Sequence, residues 1–295
     1  MHPFDYQKVM TLEEAFDAYQ NSNGPTVFMA GGTDLLVQMK KGAIRPQRVI
    51  DIKAIPEMDD FSISEDECSI GSLTTIRALE TSSDVCREVP LLTQAAAKLG
   101  SVQVRNRATI GGNLCNAAPS AELAPVLLAL DGQAAIYGKT GTRVIDLGDF
   151  FLGPGSTALE KGEILTSLKI PLTESRQGAV YYKLTTRKAM DIAFVGVAVL
   201  LELNEDNQIT KARIALGAAA PTPIRVPSAE KVLEGSNLDA ESVQESAELA
   251  AQACQPISDL RASAGYRREM VNQLCRRGLA AAFLQAKSLK EDNNL

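Results

Sequence analysis

The stretch Ala30-Gly31-Gly32-Thr33-Asp34-Leu35-Leu36 follows a short apolar run, Thr26-Val27-Phe28-Met29, and leads into a segment with helical character. Strand, glycine turn and helix are the reading this order supports. A second glycine pair stands in Thr109-Ile110-Gly111-Gly112-Asn113-Leu114-Cys115-Asn116. Glycine has no Cβ, so backbone N–H groups in such loops can turn outward and approach a ligand closely. Successive outward N–H groups form a concave anion site. Two such sites in one chain point to one extended ligand with a diphosphate at its middle. The first loop is not a Rossmann fingerprint, because Gly31-Gly32-Thr33 lacks the Gly-x-Gly-x-x-Gly spacing. It is not a P-loop, since no Gly-Lys-Ser/Thr follows. A tight turn without ligand remains open for either pair taken alone.

Around the first pair the chain reads as a small α/β unit reaching to about residue 56. Thr11 is a candidate N-cap, with Glu14 three positions on. A helix to about residue 19, a helix over 34–40 and a strand over 48–52 follow. A second unit spans about 57–175. It holds a strand at 68–71, a helix start at 74–80, an amphipathic helix over 90–99 and a helix over 121–130. Two short strands at 134–137 and 143–145 and a strand over 163–170 complete it. Beyond about residue 178 the pattern becomes antiparallel β, with runs at 180–184, 193–203 and 209–216. Asn204-Glu205-Asp206-Asn207 makes the turn between the last two. Helices are expected over 228–233, 241–254 and 264–286, with a frayed polar tail from 287. The domain boundary falls near 175, giving 1–175 and 176–290.

The 295 residues carry a formal net charge of −6 and no basic cluster, which argues against a nucleic-acid partner. No apolar run is long enough for a transmembrane segment, and the acidic N-terminal stretch does not read as a signal peptide. The expected location is cytoplasmic. The five cysteines form no Cys-x-x-Cys pair, so neither a disulfide framework nor a metal or iron–sulfur site is expected on this chain. The single histidine is His2, which leaves no catalytic residue of the serine–histidine or cysteine–histidine kind. The chemistry is expected from a bound cofactor.

The second glycine segment is the richer of the two. Thr109, Gly111, Gly112 and Asn113 place a hydroxyl, two unhindered backbone positions and an amide within five residues. Asn116 and Ser120 extend the polar surface. Glu122, at a helix start, either complements the helix dipole or accepts hydrogen bonds from sugar-like hydroxyls. Arg105 and Arg107 either counter phosphate charge or stand solvated. Cys115 reads as a small packed side chain. Lys183 shares one face of a strand with Tyr181; it either lies beside an electron-rich ring or snorkels at a sheet edge.

These residues, taken in order, resemble a known family. The segments are Phe28-Met29-Ala30-Gly31-Gly32-Thr33-Asp34-Leu35, Thr109-Ile110-Gly111-Gly112-Asn113, Glu163-Ile164-Leu165, and Tyr182-Lys183-Leu184 with Arg187 and Asp191-Ile192-Ala193. Their order and spacing are similar to those of the FAD-binding medium subunits of the xanthine dehydrogenase and carbon monoxide dehydrogenase (molybdenum hydroxylase) family, over nearly the whole chain. The resemblance implies an α+β fold: a PCMH-type FAD-binding domain in two subdomains, then a C-terminal domain with a three-stranded antiparallel sheet and a helix bundle. It implies that Phe28, Met29, Ala30, Gly31, Gly32, Thr33, Asp34 and Leu35, with Thr109, Gly111, Gly112 and Asn113, hold the FAD diphosphate and ribityl chain. Glu122 matches the family's acidic FAD contact, Leu165 packs on the flavin side, and Lys183 lies near the isoalloxazine.

The same resemblance implies an electron-transfer role in an oxidoreductase. Substrate is oxidised at a molybdopterin centre on a large subunit, electrons pass through [2Fe-2S] clusters of a small subunit, and the FAD here reduces NAD, oxygen or a carrier. An (LMS)2 heterohexamer is implied. Two departures narrow the branch. The carbon monoxide dehydrogenases usually carry His where this chain has Thr33, and the 4-hydroxybenzoyl-CoA reductases carry a cysteine-bearing insertion absent here. Thr33 also removes the histidine that binds flavin covalently in some PCMH proteins, so non-covalent FAD is expected. Three other readings stand beside this one. They are a stand-alone PCMH-type flavin reductase, which the C-terminal half disfavours, a nicotinamide dehydrogenase, which the missing Rossmann spacing disfavours, and a flavin-free scaffold subunit.

Overall fold

A computed structural model describes residues 1–173, 176–187 and 190–292. The first unit contains β1 (Asp5–Lys8), α1 (Leu12–Gln20), β2 (Thr26–Met29), α2 (Leu35–Lys41) and β3 (Arg48–Asp51). Its three strands lie in the order β1-β3-β2, and both pairings are parallel. Thr11 caps α1 as expected: its hydroxyl accepts from the Glu14 N–H, while the Glu14 carboxylate accepts from the Met10 N–H. Parallel pairing forces the glycine turn and α2 into the crossover that returns the chain to β3.

The second unit begins with β4 (Phe61–Ile63) and β5 (Glu67–Gly71). Six short helices follow: α3 (Ile76–Thr81), α4 (Ser83–Glu88), α5 (Pro90–Lys98), α6 (Val102–Arg105), α7 (Ile110–Cys115) and α8 (Leu123–Ala129). The chain then returns through β6 (Gln133–Gly138), β7 (Gly141–Asp146), β8 (Phe151–Gly153), β9 (Ser156–Thr157) and β10 (Ile164–Pro171). The main sheet is antiparallel, in the order β4-β5-β10-β6-β7. Its register shifts between Leu165 and Ser167 of β10, a bulge where the Thr166 hydroxyl donates to the Ala135 carbonyl. Every residue of α8 is buried.

The C-terminal unit has β11 (Arg176–Leu184), β12 (Val195–Leu203), β13 (Ile209–Gly217), β14 (Ile224–Arg225), α9 (Pro227–Leu233), α10 (Ala240–Ala253) and α11 (Ala264–Asp292). Three long antiparallel strands are present as expected, and the two-residue β14 adds a fourth at one edge. The turn between β12 and β13 is organised by Asn204, whose Oδ1 accepts from the N–H groups of Asp206 and Gln208. The tail expected to fray from 287 stays helical to Asp292; residues 293–295 lie outside those described. The five cysteines are free.

The strand β12 is buried at all nine positions because both its faces are covered. Ala198 and Leu200 face the core of the preceding unit, with α8 against them, while Val197, Val199 and Leu201 face α11. Its outer neighbour β11 would expose an unpaired edge. Instead, Gln94 and Lys98 of α5 and Gln285 of α11 hydrogen-bond its backbone at Ala179 and Tyr181.

A second joint between these units is ionic. Asp131, just beyond α8, receives Arg213 Nε at 2.9 Å, Arg225 Nη1 at 2.6 Å and Lys211 Nζ at 3.0 Å. Burial works to raise the Asp131 carboxyl, and hydrogen bonds from Arg213 and Lys211 outweigh it, leaving a net depression. A carboxyl depressed in the folded state contributes stability that is present above its unfolded value and is lost as pH falls through the folded one. Urea unfolding should therefore show the wild-type midpoint falling between about pH 5 and pH 3. Asp131→Asn should start about 2 kcal/mol less stable at neutral pH, because three cations lose their shared partner. It should then lose less over the same acid range; parallel pH profiles for the two proteins would refute this role for Asp131.

Candidate functional site

The first glycine pair sits where the sequence places it, between β2 and α2. Gly32 has φ +73°, a conformation that favours glycine. Gly31 is glycine for another reason: a Cβ there would stand 2.0 Å from the Arg107 carbonyl oxygen and 3.1 Å from Ala108 Cα. The absence of a Cβ at this glycine lets two backbones touch. The N–H groups of Gly31, Gly32, Thr33 and Asp34 find no acceptor among the described residues. Such groups require water or a ligand. The Asp34 carboxyl is raised by the protein around it.

The second pair departs from its expected form. It is not an open loop but part of α7, capped by Thr109, whose hydroxyl accepts from Gly112 N at 3.0 Å. The N–H groups expected to face an anion are used within the chain: Gly111 N donates to Ser72 O at 2.8 Å, and Asn113 N to Thr109 O at 3.0 Å. Gly111 also marks a close approach, since a Cβ there would lie 2.6 Å from Ser72 Cβ. What this segment leaves unpaired is a side-chain atom, Asn113 Oδ1, which is buried without a hydrogen-bond partner.

Between the two segments runs a cleft of about 340 Å³, within the range of small-molecule sites. One side is Phe28, Ala30, Gly31, Gly32, Thr33, Asp34 and Leu35, and the other is Thr109, Gly111, Gly112 and Asn113. Leu165, at the β10 bulge, also lines it. Twelve of the fifteen candidate residues line this space; Met29, Glu122 and Lys183 do not. The cleft also takes side chains that no local signal marked, among them Gln38, Ser72, Leu99 and Val104, together with Glu163 and Ile164 of the segment quoted with Leu165. Gln38 Nε2 reaches Asn116 Oδ1 at 3.4 Å, joining α2 to the end of α7. Burial pushes the Cys115 thiol, also on the wall, up to about 12.

Glu122 and Lys183 are brought together by each other. Lys183 Nζ lies 2.7 Å from Glu122 Oε1 and 2.9 Å from the Lys98 carbonyl, and the two side chains are only 8% and 11% exposed. Glu122 stands at the N-cap of α8 but makes no capping bond, so its carboxylate serves the lysine rather than the helix. Lys183 is neither a snorkelling surface lysine nor on the cleft wall; it holds the residue preceding Leu99, which is on it. Arg105 is likewise not a solvated or phosphate-facing cation. It is buried, with Nε and Nη2 on Glu80 and Nη1 on the Leu99 carbonyl at 2.8 Å. Arg107 is exposed. Among the described residues no group of three or more metal-ligating side chains gathers, and no helix is long and apolar enough to cross a membrane.

Residues 2–173 match the family model for the FAD binding domain in molybdopterin dehydrogenase. The chain belongs to that family. Residues 180–282 match the CO dehydrogenase flavoprotein C-terminal domain. The chain is 33% identical over 283 residues to the xanthine dehydrogenase FAD-binding subunit of Escherichia coli O157:H7, covering 95% of this chain and 96% of that one. It is 33% identical over 280 residues to the carbon monoxide dehydrogenase medium chain of Hydrogenophaga pseudoflava, covering 95% and 97%. The solved structure of carbon monoxide dehydrogenase from Hydrogenophaga pseudoflava superposes with a TM-score of 0.93 at 32% identity, over 97% of this chain and 99% of that chain. The chain is thus an oxidoreductase subunit whose cofactor is FAD. The cleft fits that group, with a row of unpaired N–H donors for phosphate, an orphaned acceptor at Asn113 and apolar walls for rings.

The contact at Gly31 is checked by substitution. Gly31→Ala should cost more than about 2 kcal/mol, because its Cβ meets backbone rather than a movable side chain. Gly148→Ala, where a Cβ meets nothing within 4 Å, should change stability by under about 1 kcal/mol. Chemical denaturation of the two variants measures both.

Proposed function

We propose that this chain is the FAD-carrying electron-transfer subunit of a molybdenum hydroxylase complex, taking electrons from [2Fe-2S] clusters of a small subunit and passing them to NAD, oxygen or a carrier. Molybdopterin sits on a large partner subunit, and the assembly is an (LMS)2 heterohexamer in the cytoplasm. Support comes from the relatives' names and from a cleft whose free donors, orphaned acceptor and apolar walls suit FAD. The chain divides near residue 175 into the FAD-binding part, 1–175, and the C-terminal part, 176–290.

When bound, FAD supplies the exchange of electrons between one- and two-electron partners. The residues of this chain bind and orient it. The N–H groups from Gly31 to Asp34 donate to its diphosphate, and Asn113 Oδ1 accepts from a hydroxyl or ring N–H. Leu99, Val104, Ile164 and Leu165 give it dry walls. Glu122 and Lys183 serve it by fixing the chain at Leu99. The flavin is held non-covalently: the one cysteine on the wall, Cys115, is kept a neutral thiol by burial, and Thr33 offers no nucleophilic ring nitrogen.

The observation that carries this reading is the orphaned Asn113 Oδ1. A buried acceptor without a partner destabilises the chain that holds it. Asn113→Ala should therefore leave the FAD-free chain as stable as wild type, or more so, while weakening FAD binding about tenfold. Titration of the full chain with FAD, followed by quenching of flavin fluorescence, measures the affinity, and thermal denaturation without FAD measures the stability. A wild-type chain that takes up no FAD, alone or co-purified with its large and small partner chains, would overturn the proposal.

A further inference from the structure

Arg143 lies on β7, outside the cleft, two strands away from Leu165 in the sheet. Its register partner on β6 is Ile136, and Ile136 is in turn the partner of Leu165 on β10. The guanidinium meets the Glu163 carboxylate with a two-pronged contact: Nε to Oε1 at 2.9 Å and Nη2 to Oε2 at 2.7 Å. Nη2 also donates to the Ala158 carbonyl at 2.9 Å. Glu163 Oε2 accepts from the Glu160 N–H at 2.7 Å, and Glu163 N donates to the Glu160 carbonyl at 3.0 Å. One guanidinium thereby closes the loop 158–163 onto the sheet at both ends. Leu159, Glu163, Ile164 and Leu165, which line the cleft, all belong to this stapled segment or follow it directly.

The wall has little freedom on its other side, since a Cβ on Gly138 would stand 3.0 Å from Glu163 Cγ. The pairing is electrostatically mutual: the hydrogen bond from Arg143 is the main cause that lowers the Glu163 carboxyl, and the same bond is the main cause that raises the guanidinium. The Arg143 side chain is 39% exposed and the Glu163 side chain 10%, so the contact is anchored from the outside and acts inward.

We propose that Arg143 is a positioning residue for the flavin site, setting through Glu163 the place of the Leu159, Ile164 and Leu165 wall and so the affinity for the cofactor. A planar fork with two parallel hydrogen bonds fixes direction as well as distance, which an ammonium does not. This rests on the reading that the cleft takes FAD.

The test uses the full chain with FAD as the titrant. Arg143→Met should raise the FAD dissociation constant about tenfold, and Arg143→Lys about threefold, since lysine keeps the charge but loses the fork. The bound-flavin absorption band should lose its resolved shoulder in Arg143→Met, a signature that lowered stability alone does not produce. Glu163→Gln should act in the same direction, and the double variant should be no worse than Arg143→Met alone. Glu163→Gln alone carries the test if Arg143→Met fails to fold. A dissociation constant within about twofold of wild type with an unchanged spectrum would overturn the positioning role, as would equal losses for Lys and Met. In both cases wild type still binds FAD, whereas a wild-type chain that binds none removes the functional reading and this inference with it.

Discussion

The close approach of Gly31 to the Arg107 carbonyl is the contact on which the cleft depends. A parallel α/β unit and an antiparallel unit meet there backbone to backbone, with no room for a methyl group. The second contact of this kind, Gly111 against Ser72, holds α7 to the end of β5. With these points fixed, the space between the segments has walls of defined separation. The two glycine pairs thus act first as joints between layers and only then as the lining of a site. This explains why the donors and acceptors left for a ligand are so unequally divided. The first segment keeps a run of free N–H groups, while the second, wound into a helix, keeps a single side-chain oxygen.

Much of this was legible in the residues. The order strand, glycine turn, helix was readable because Thr26-Val27-Phe28-Met29 is a compact apolar run and Gly31-Gly32 breaks it. The run at 193–203 was readable as a strand, whereas the cover on both its faces comes from the packing of α8 and α11. Thr11 with Glu14 marked a helix start that the structure forms. The second glycine pair misled, because two adjacent glycines weaken a helix by propensity. Here Thr109 supplies a cap and Ser72 a backbone acceptor from a strand that local sequence does not bring near. Leu99, Val104 and Gln38 carried no local mark at all. They reach the cleft because of where α5 ends and how α6 and α2 pack, which is a property of the tertiary fold. The pairing of Glu122 with Lys183 spans 61 positions, and neither member's neighbours predict it.

Charge at the seams has a consistent arrangement. Lys183 backed by Glu122, and Arg105 backed by Glu80, grip the consecutive carbonyls of Lys98 and Leu99. Asp131 gathers three cations across the C-terminal sheet. Compared with well-packed apolar replacements, pairs such as Lys183–Glu122 and Arg105–Glu80 add little net stability, although removing one partner is costly. Their effect is directional. Apolar cores such as that around β12 tolerate small slides of one layer over another, whereas a cation seated between a carboxylate and a particular carbonyl does not.

That division of labour bears on the electron-transfer role proposed above. Hydrophobic burial holds the three units together, and the polar contacts decide their register at the cofactor. A bound flavin that exchanges electrons, as proposed, would gain from walls that do not shift as it changes charge, because rearrangement on each transfer would slow the exchange. The positions closest to the cleft are accordingly those where backbone carbonyls are gripped by cations and glycines are pressed against backbone. The largest apolar cores, around α8 and β12, lie further out and support the apolar side chains of the cleft wall from behind.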